Sequence, residues 1–272
     1  MELNLFILNS IFGKLLFMII STKLIYIIIY ERIFFMNTSF PLSLNRTQLK
    51  IIAVITMTLD HIGAALIPKQ LLLYSVLRLI GRIAFPIFCF LLVEGFFYTK
   101  NREKYITRLL IFALIAEIPF DFGLCLTSSS FTYKLAFAHQ NTLFTLAIGM
   151  ITMTILEKYK DRIPSYSMPA LFICMISLLL AQACGTDYGM FGVFFIISLY
   201  YRKTLFNFTN PFLSLLICFL PLMATGGKEP FCIISLFLIY AYNPAYCKGN
   251  KYFFYIYYPL HLTILAILRF IN

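Results

Sequence analysis

The chain has 272 residues, 61% of them hydrophobic and only 12% charged, with a mean hydropathy of +0.88. Soluble domains carry about 25% charged residues, so the composition excludes an ordinary soluble fold and indicates a polytopic membrane protein. The net charge of +11 sits in short basic clusters between apolar runs, a distribution that sets membrane topology and excludes nucleic acid as a partner.

In chain order, residues 1–36 form an apolar N-terminal extension interrupted by Lys14 and Lys23 and ending in YERIFF. With no small-residue cleavage site, it reads as an extra span or anchor rather than a secretory signal. The unit at 37–272 follows. A spanning helix needs about 20 apolar residues, and candidate runs fall at 48–67, 72–97, 105–125, 140–156, 168–184, 189–201, 207–224, 230–242 and 252–270. The expected fold class is all-α, a polytopic integral membrane bundle of about nine to ten transmembrane helices. The runs 189–201 and 230–242 are short for spans, and a re-entrant pair there would leave the later topology unchanged.

The basic residues alternate with these runs. One side receives Arg46, Lys50, Lys100, Arg102, Lys104, Arg108, Lys158, Lys160, Arg162, Arg202, Lys203, Lys248 and Lys251, the other only Lys69, Lys134, Lys228 and Arg269. Lys and Arg mark the cytoplasmic side, so the expected location is the cell membrane, multi-pass, with the basic loops in the cytoplasm. Seven cysteines lie scattered through apolar runs without C-x-x-C or histidine pairing, and no metal site is expected.

Polar residues inside the runs carry the functional signal, because an ionisable group at membrane depth costs a few kcal/mol. The run LKIIAVITMTLDHIGAALI holds Asp60 and His61 about two-thirds along; the next run holds Arg78 and Arg82, one helical turn apart. Glu117 and Asp121 flank Pro119 with the same spacing, and His139, Gln140, Asn141, Asp187 and Tyr188 lie at the outer mouth. Simple neutralisation would pair Arg78 and Arg82 with Glu117 and Asp121 as interhelical glue. Buried ion pairs often cost more than they return, so a water-filled polar chamber explains the whole collection better. Glu94 lies nearer the cytoplasmic end, where Lys50 or Arg108 could pair with it, and His261 follows a helix-interrupting Pro259. The basic loop KNREKYITR could hold phosphates at the cytoplasmic face. GGKE at 226–229 lacks the upstream glycine and the Ser or Thr of a phosphate loop, and neither G-x-S-x-G nor H-E-x-x-H occurs.

The segments LKIIAVITMTLDHIGA, LRLIGRIAFPIFCFLLVEGFFYTKNREKYITRLLIFALIAEIPFDFG, HQNTLFTL, TDYGMFGV and KYFFYIYYPLHL, in that order from about Leu44 to Leu268, resemble the TraX family of membrane proteins. Its members are associated with conjugation, and its founding activity is N-terminal acetylation of the pilin subunit. TraX in turn resembles the transmembrane acyltransferases, including the acyltransferase-3 proteins and lysosomal heparan acetyltransferase, in which an Arg or Lys precedes a catalytic His by ten intervening residues. Lys50 and His61 match that spacing.

The resemblance implies an acetyl-CoA-dependent membrane acyltransferase acting on an amine or hydroxyl acceptor, protein or polymer, at the outer face, with no metal. Lys50, Lys100, Arg102, Lys104 and Arg108 would bind the acetyl-CoA phosphates. His61 would act as general base, Arg78 or Arg82 as oxyanion donor, and Glu117 or Asp121 would orient His61, with His139, Asp60, Glu94, Gln140, Asp187 and His261 as further candidates. A proton-coupled transporter would also use intramembrane His and carboxylates, but no inverted repeat supports it. A non-catalytic component of a conjugation apparatus is the third reading.

Overall fold

Asparagine caps set where several helices begin. In the computed structural model, which describes residues 43–125, 139–162, 167–205, 210–244 and 253–271, the Asn45 side chain accepts from the Gln48 amide at 3.0 Å. The Gln48 side chain accepts from the Asn45 amide at 2.8 Å, and this reciprocal cap opens α1, Arg46–Leu66. Helix α2, Leu72–Gly81, and α3, Ala84–Tyr98, are the two halves of the run expected at 72–97. They break at Arg82 and Ile83, whose amides bond back only three residues to Leu79 and Ile80. Pro86 explains the break, since it has no N–H to offer the Arg82 carbonyl one turn earlier.

Helix α4, Arg102–Phe120, is capped by Asn101 and ends at Pro119 in a π-helical turn, Asp121–Cys125. Helix α5, Thr142–Lys158, is capped by Asn141; α6 is Met168–Ala183, α7 Gly189–Leu205 and α8 Pro211–Met223, the last capped by Asn210. A four-residue 3₁₀ turn, Glu229–Cys232, leads into the eight-residue α9, Ile233–Tyr240, and α10 is Phe253–Ile271. The described residues are all-helical, without strands, and the helices follow the apolar runs read from the sequence. The extension expected at 1–36 lies outside the described residues.

Among the described residues, three segments are long and apolar enough to cross a membrane: α1, the broken α2–α3 segment and α10. Helices α6, α7, α8 and the segment ending in α9 are apolar but shorter; the last, at 1.5 Å per residue, is well under the ~30 Å of a bilayer core. Large apolar side chains point outward, among them Leu114 and Ile118 on α4, Phe172 on α6 and Ile264 on α10. Helices with apolar outer faces and an apolar interior are the form a lipid-embedded protein takes.

Helix α1 is the hub, packing against α2, α3 and α10, while α5 packs against α4, α6 and α7. Two glycines let α1 and α2 approach closely. A Cβ on Gly63 would lie 2.9 Å from the Leu77 Cβ, and one on Gly81 would lie 2.2 Å from both the Cβ and Oδ1 of Asp60. Asp60 therefore fits into a notch that only glycine leaves open. Overpacking costs ~1–3 kcal/mol, and Asp60 cannot swing away without abandoning its partners. Gly81→Ala should accordingly lower the midpoint of thermal unfolding in detergent by more than Gly63→Ala does; an unchanged midpoint in Gly81→Ala would contradict the notch.

Candidate functional site

Between α1, the α2–α3 break, the start of α5, the Thr186–Gly189 turn and α10 lies a cavity of about 270 Å³. Asp60, His61, Arg78, Arg82, Asp187 and Tyr258 are on its wall. The sequence thus brings five of its expected site residues to one chamber.

Asp60 and His61 are neighbours on α1 but face different ways, because successive helical residues diverge by about 100°. Asp60 faces α2–α3. Its carboxylate accepts from Arg78 Nη1 at 2.5 Å and, through both oxygens, from Arg82 Nη2 at 3.0 Å. Arg82 Nη1 donates to Glu229 at 2.6 Å and its Nε to the Arg78 carbonyl at 3.2 Å. Every nitrogen of Arg82 is thereby engaged. Arg78 uses only Nη1 in the hydrogen bonds of the described residues, and its side chain is the more exposed, 27% against 11%, so its remaining N–H groups are the guanidinium donors open to the cavity.

His61 faces α10. Its Nδ1 lies 2.8 Å from Nε2 of His261, whose own Nδ1 is 2.9 Å from the Tyr257 carbonyl oxygen. The rings are stacked in parallel, 5.1 Å apart, and Tyr257 braces them by stacking on His261 and bonding Thr58 of α1 at 2.7 Å. The chain of bonds fixes the tautomers. A carbonyl only accepts, so the proton of His261 is on Nδ1; neutral His261 then accepts at Nε2, and His61 must donate from Nδ1. A charged imidazolium buried beside two guanidiniums would be costly, which favours this neutral arrangement. Nε2 of His61 is left as a bare lone pair, making no hydrogen bond among the described residues, on a side chain that lines the cavity.

A strained turn completes the wall. Tyr188 adopts φ 65°, between Gly185 and Gly189 at φ 60° and 48°, a conformation that costs a non-glycine residue about 1 kcal/mol or more. It is held by parallel stacking on Phe85 at 3.7 Å, and the Arg82 guanidinium lies 5.8 Å from its ring. The turn is tied to residues 140–145: the Gln140 amide donates to Gly185, the Asp187 amide to Gln140, and the Thr145 hydroxyl to the Asp187 carbonyl.

Several expectations are corrected. Arg78 and Arg82 pair with Asp60 and Glu229, not with Glu117 and Asp121. Glu117 instead accepts from the amide and side chain of Asn141, at 3.1 and 2.5 Å, and so fixes the start of α5 against α4. Asp121 has a buried Oδ1 without a partner among the described residues and lies outside the cavity wall. The residue that orients His61 is His261, which α10 carries in from 200 positions away. His139 is exposed and off the wall, and Gln140 serves through its backbone.

The opposite end of the bundle is basic. Lys50 Nζ lies 5.7 Å from the ring of Phe254, which also lines the cavity. Arg46 stands one turn before Lys50 on α1 and donates to the Leu91 carbonyl at 3.5 Å. The Tyr255 hydroxyl bonds Tyr105 and Arg108, and Arg108 Nε is buried without a partner among the described residues. Arg102 caps the Phe96 ring at 4.1 Å, while Lys100 and Lys104 are exposed. Glu94 joins none of the ion pairs among the described residues, so it partners neither Lys50 nor Arg108.

Glu229, Tyr257, Tyr258 and Thr142 were not singled out from the sequence. Glu229 offered a signal, an acidic residue in a mouth-side turn directly after Lys228, but nothing in its spacing announces Arg82.

Asp60, Arg78, Arg82 and Glu229 are together neutral. Removing one partner of a buried pair costs ~3–5 kcal/mol, so Asp60→Leu should sharply lower stability, measured as resistance to unfolding in detergent. Asp60→Leu with Arg78→Met leaves the neutral Arg82–Glu229 pair and should recover most of the loss; no recovery would refute this charge balance.

The profile of the family described as "TraX protein" matches residues 45–269. A "Probable fimbrial assembly protein FimC, serogroup H1" of Dichelobacter nodosus is 31% identical over 239 residues, which cover 80% of this chain and 93% of the relative. An uncharacterized protein of Rickettsia prowazekii (strain Madrid E) is 45% identical over 71 residues, covering 26% of this chain and 25% of the relative. No solved structure matches. With the family profile spanning every described helix from α1 to nearly the end of α10, the chain is a membrane protein of the TraX family.

Proposed function

We propose that the chain is a multi-pass membrane acyltransferase that moves an acetyl group from cytoplasmic acetyl-CoA to an amine or hydroxyl at the outer face. One observation carries the reading: His61 keeps a bare Nε2 on the cavity wall, beside the unengaged donors of Arg78. A neutral imidazole with a bound neighbour on its other nitrogen is built to take a proton. As the acceptor attacks the acetyl carbonyl, His61 Nε2 takes its proton, and the charge that develops is shared through Nδ1–H to His261. Arg78 stabilises the tetrahedral oxyanion. When the carbon–sulfur bond breaks, His61 returns the proton to the departing sulfur, so the acyl product and free thiol account for all atoms.

The basic end suits the phosphates of acetyl-CoA. Lys50 precedes His61 by eleven residues, about 16 Å of helix, and the partnerless Arg108 Nε is a buried donor that an anion would satisfy. The orientation with this end in the cytoplasm follows the Lys and Arg distribution. The fimbrial-assembly name of the Dichelobacter relative supports a pilin-like acceptor, delivered to the chamber from outside.

The experiment is turnover and binding of labelled acetyl-CoA by purified protein in detergent. His61→Ala should fold and still bind acetyl-CoA, while transfer falls at least ~10²-fold, the scale of a lost general base. His261→Ala should lose ~10–100-fold, as removal of an orienting partner does. Lys50→Ala should weaken acetyl-CoA binding with a smaller effect on the chemical step, because a phosphate contact is equal in ground and transition states. Wild-type turnover in His61→Ala would overturn the reading.

A further inference from the structure

Asp187 is the one acid on the cavity wall that stands outside the arginine cluster. Its carboxylate is held firmly: the Thr142 hydroxyl donates to Oδ2 at 2.6 Å, and the amide and carbonyl of Asp187 are bonded to Gln140 and Thr145. The neighbouring Tyr188, strained at φ 65° and stacked on Phe85, keeps the turn in place. Oδ1 takes no hydrogen bond among the described residues, and Asp187 joins none of the ion pairs found there. Arg82 is committed to Asp60 and Glu229, and Arg78 forms its ion pair with Asp60 and none with Asp187. Lys69, on the same wall, is exposed at the mouth and makes no ion pair with it.

A preorganised carboxylate that pairs with no cation among the described residues, beside arginines already balanced by Asp60 and Glu229, is a receptor for a cation. The donor set limits which one. Among the described residues no three His, Cys, Asp or Glu side chains converge as metal ligands, and a divalent ion needs more oxygen ligands than one carboxylate and a hydroxyl supply. The walls beside Asp187 are aromatic, formed by Tyr188, Phe85 and Tyr258, which suits an organic ammonium.

We infer that Asp187 is the specificity-determining residue for the acceptor, docking a primary ammonium and so selecting amines over hydroxyls. The inference rests on the acyl-transfer reading for its purpose, though not for the binding itself. The docked ammonium gives one proton to His61 Nε2 and its nitrogen attacks the acetyl carbonyl, forming the carbon–nitrogen bond. As the carbon–sulfur bond breaks, that proton passes to sulfur, and the surplus proton of the acylated nitrogen leaves to water at the mouth. Asp187 touches the acceptor nitrogen before attack and needs no change of its own charge over the cycle.

The test uses the full chain in detergent and a matched pair of probes: the tripeptide Ala-Gly-Ala with a free amino terminus, and the same molecule with hydroxyl replacing the amine. Wild-type protein should bind the amine form at least ~10-fold more tightly, since a site built for a charged donor rejects the analogue without it. Asp187→Asn, which preserves shape and the Thr142 contact, should abolish that preference while acetyl-CoA affinity stays unchanged. Thr142→Val, which frees the carboxylate without removing its charge, should keep a reduced preference. Equal binding of the two probes by wild type, no binding of either, or a preserved preference in Asp187→Asn would each overturn the assignment. The binding comparison needs no turnover: amine selectivity without acetyl transfer would sink the transferase reading alone.

Discussion

One turn of α1 holds the molecule's polar interior together. Asp60 faces α2–α3 and draws Arg78 and Arg82 into bonds of 2.5 to 3.0 Å; His61, a residue later, faces α10 and meets His261 at 2.8 Å. In a medium that offers charges no water, neither contact can be left unmade. The two together dictate where α2, α3 and α10 sit around α1, and the Gly81 notch, the Pro86 break and the Glu229 contact all serve the first of them.

The same arrangement divides labour between the arginines. Arg82, bonded at every nitrogen between Asp60, Glu229 and the Arg78 carbonyl, is a structural cross-link from α1 to the turn before α9. Arg78, bonded at one, keeps donors open to the cavity. A pair of arginines one turn apart in sequence thus splits into a fully engaged cross-link and a partly engaged neighbour, a distinction made by what surrounds them and not by their spacing.

Much of the fold was legible in the sequence. Apolar runs placed the helices, and Asn45, Asn101, Asn141 and Asn210 sit where capping chemistry puts them. The break at Arg82 was not foreseen within the run 72–97, although Pro86 four residues on is its cause. Asp60, His61, Arg78, Arg82 and Asp187 were singled out because ionisable groups are expensive at that depth, and they do share a cavity. Their partners were not legible. Depth along a helix follows from residue number, but which neighbouring helix each face meets does not, least of all where a proline and a π turn close the helix, as Pro119 and Asp121–Cys125 do here. Pairings across 147 or 200 residues, such as Arg82 with Glu229 and His61 with His261, are products of helix packing and leave no mark in local spacing.

The account depends on a proton being absent from one nitrogen, and that is directly observable. Nitrogen-15 spectra of protein labelled at its three histidines, assigned by replacing each in turn, report which ring nitrogen carries hydrogen. His61 and His261 should both be protonated at Nδ1 and bare at Nε2, with a coupling between His61 Nδ1–H and His261 Nε2 that His261→Ala removes. A proton resident on Nε2 of His61 would contradict it, since the ring would then present a donor to the cavity where acyl transfer requires a base.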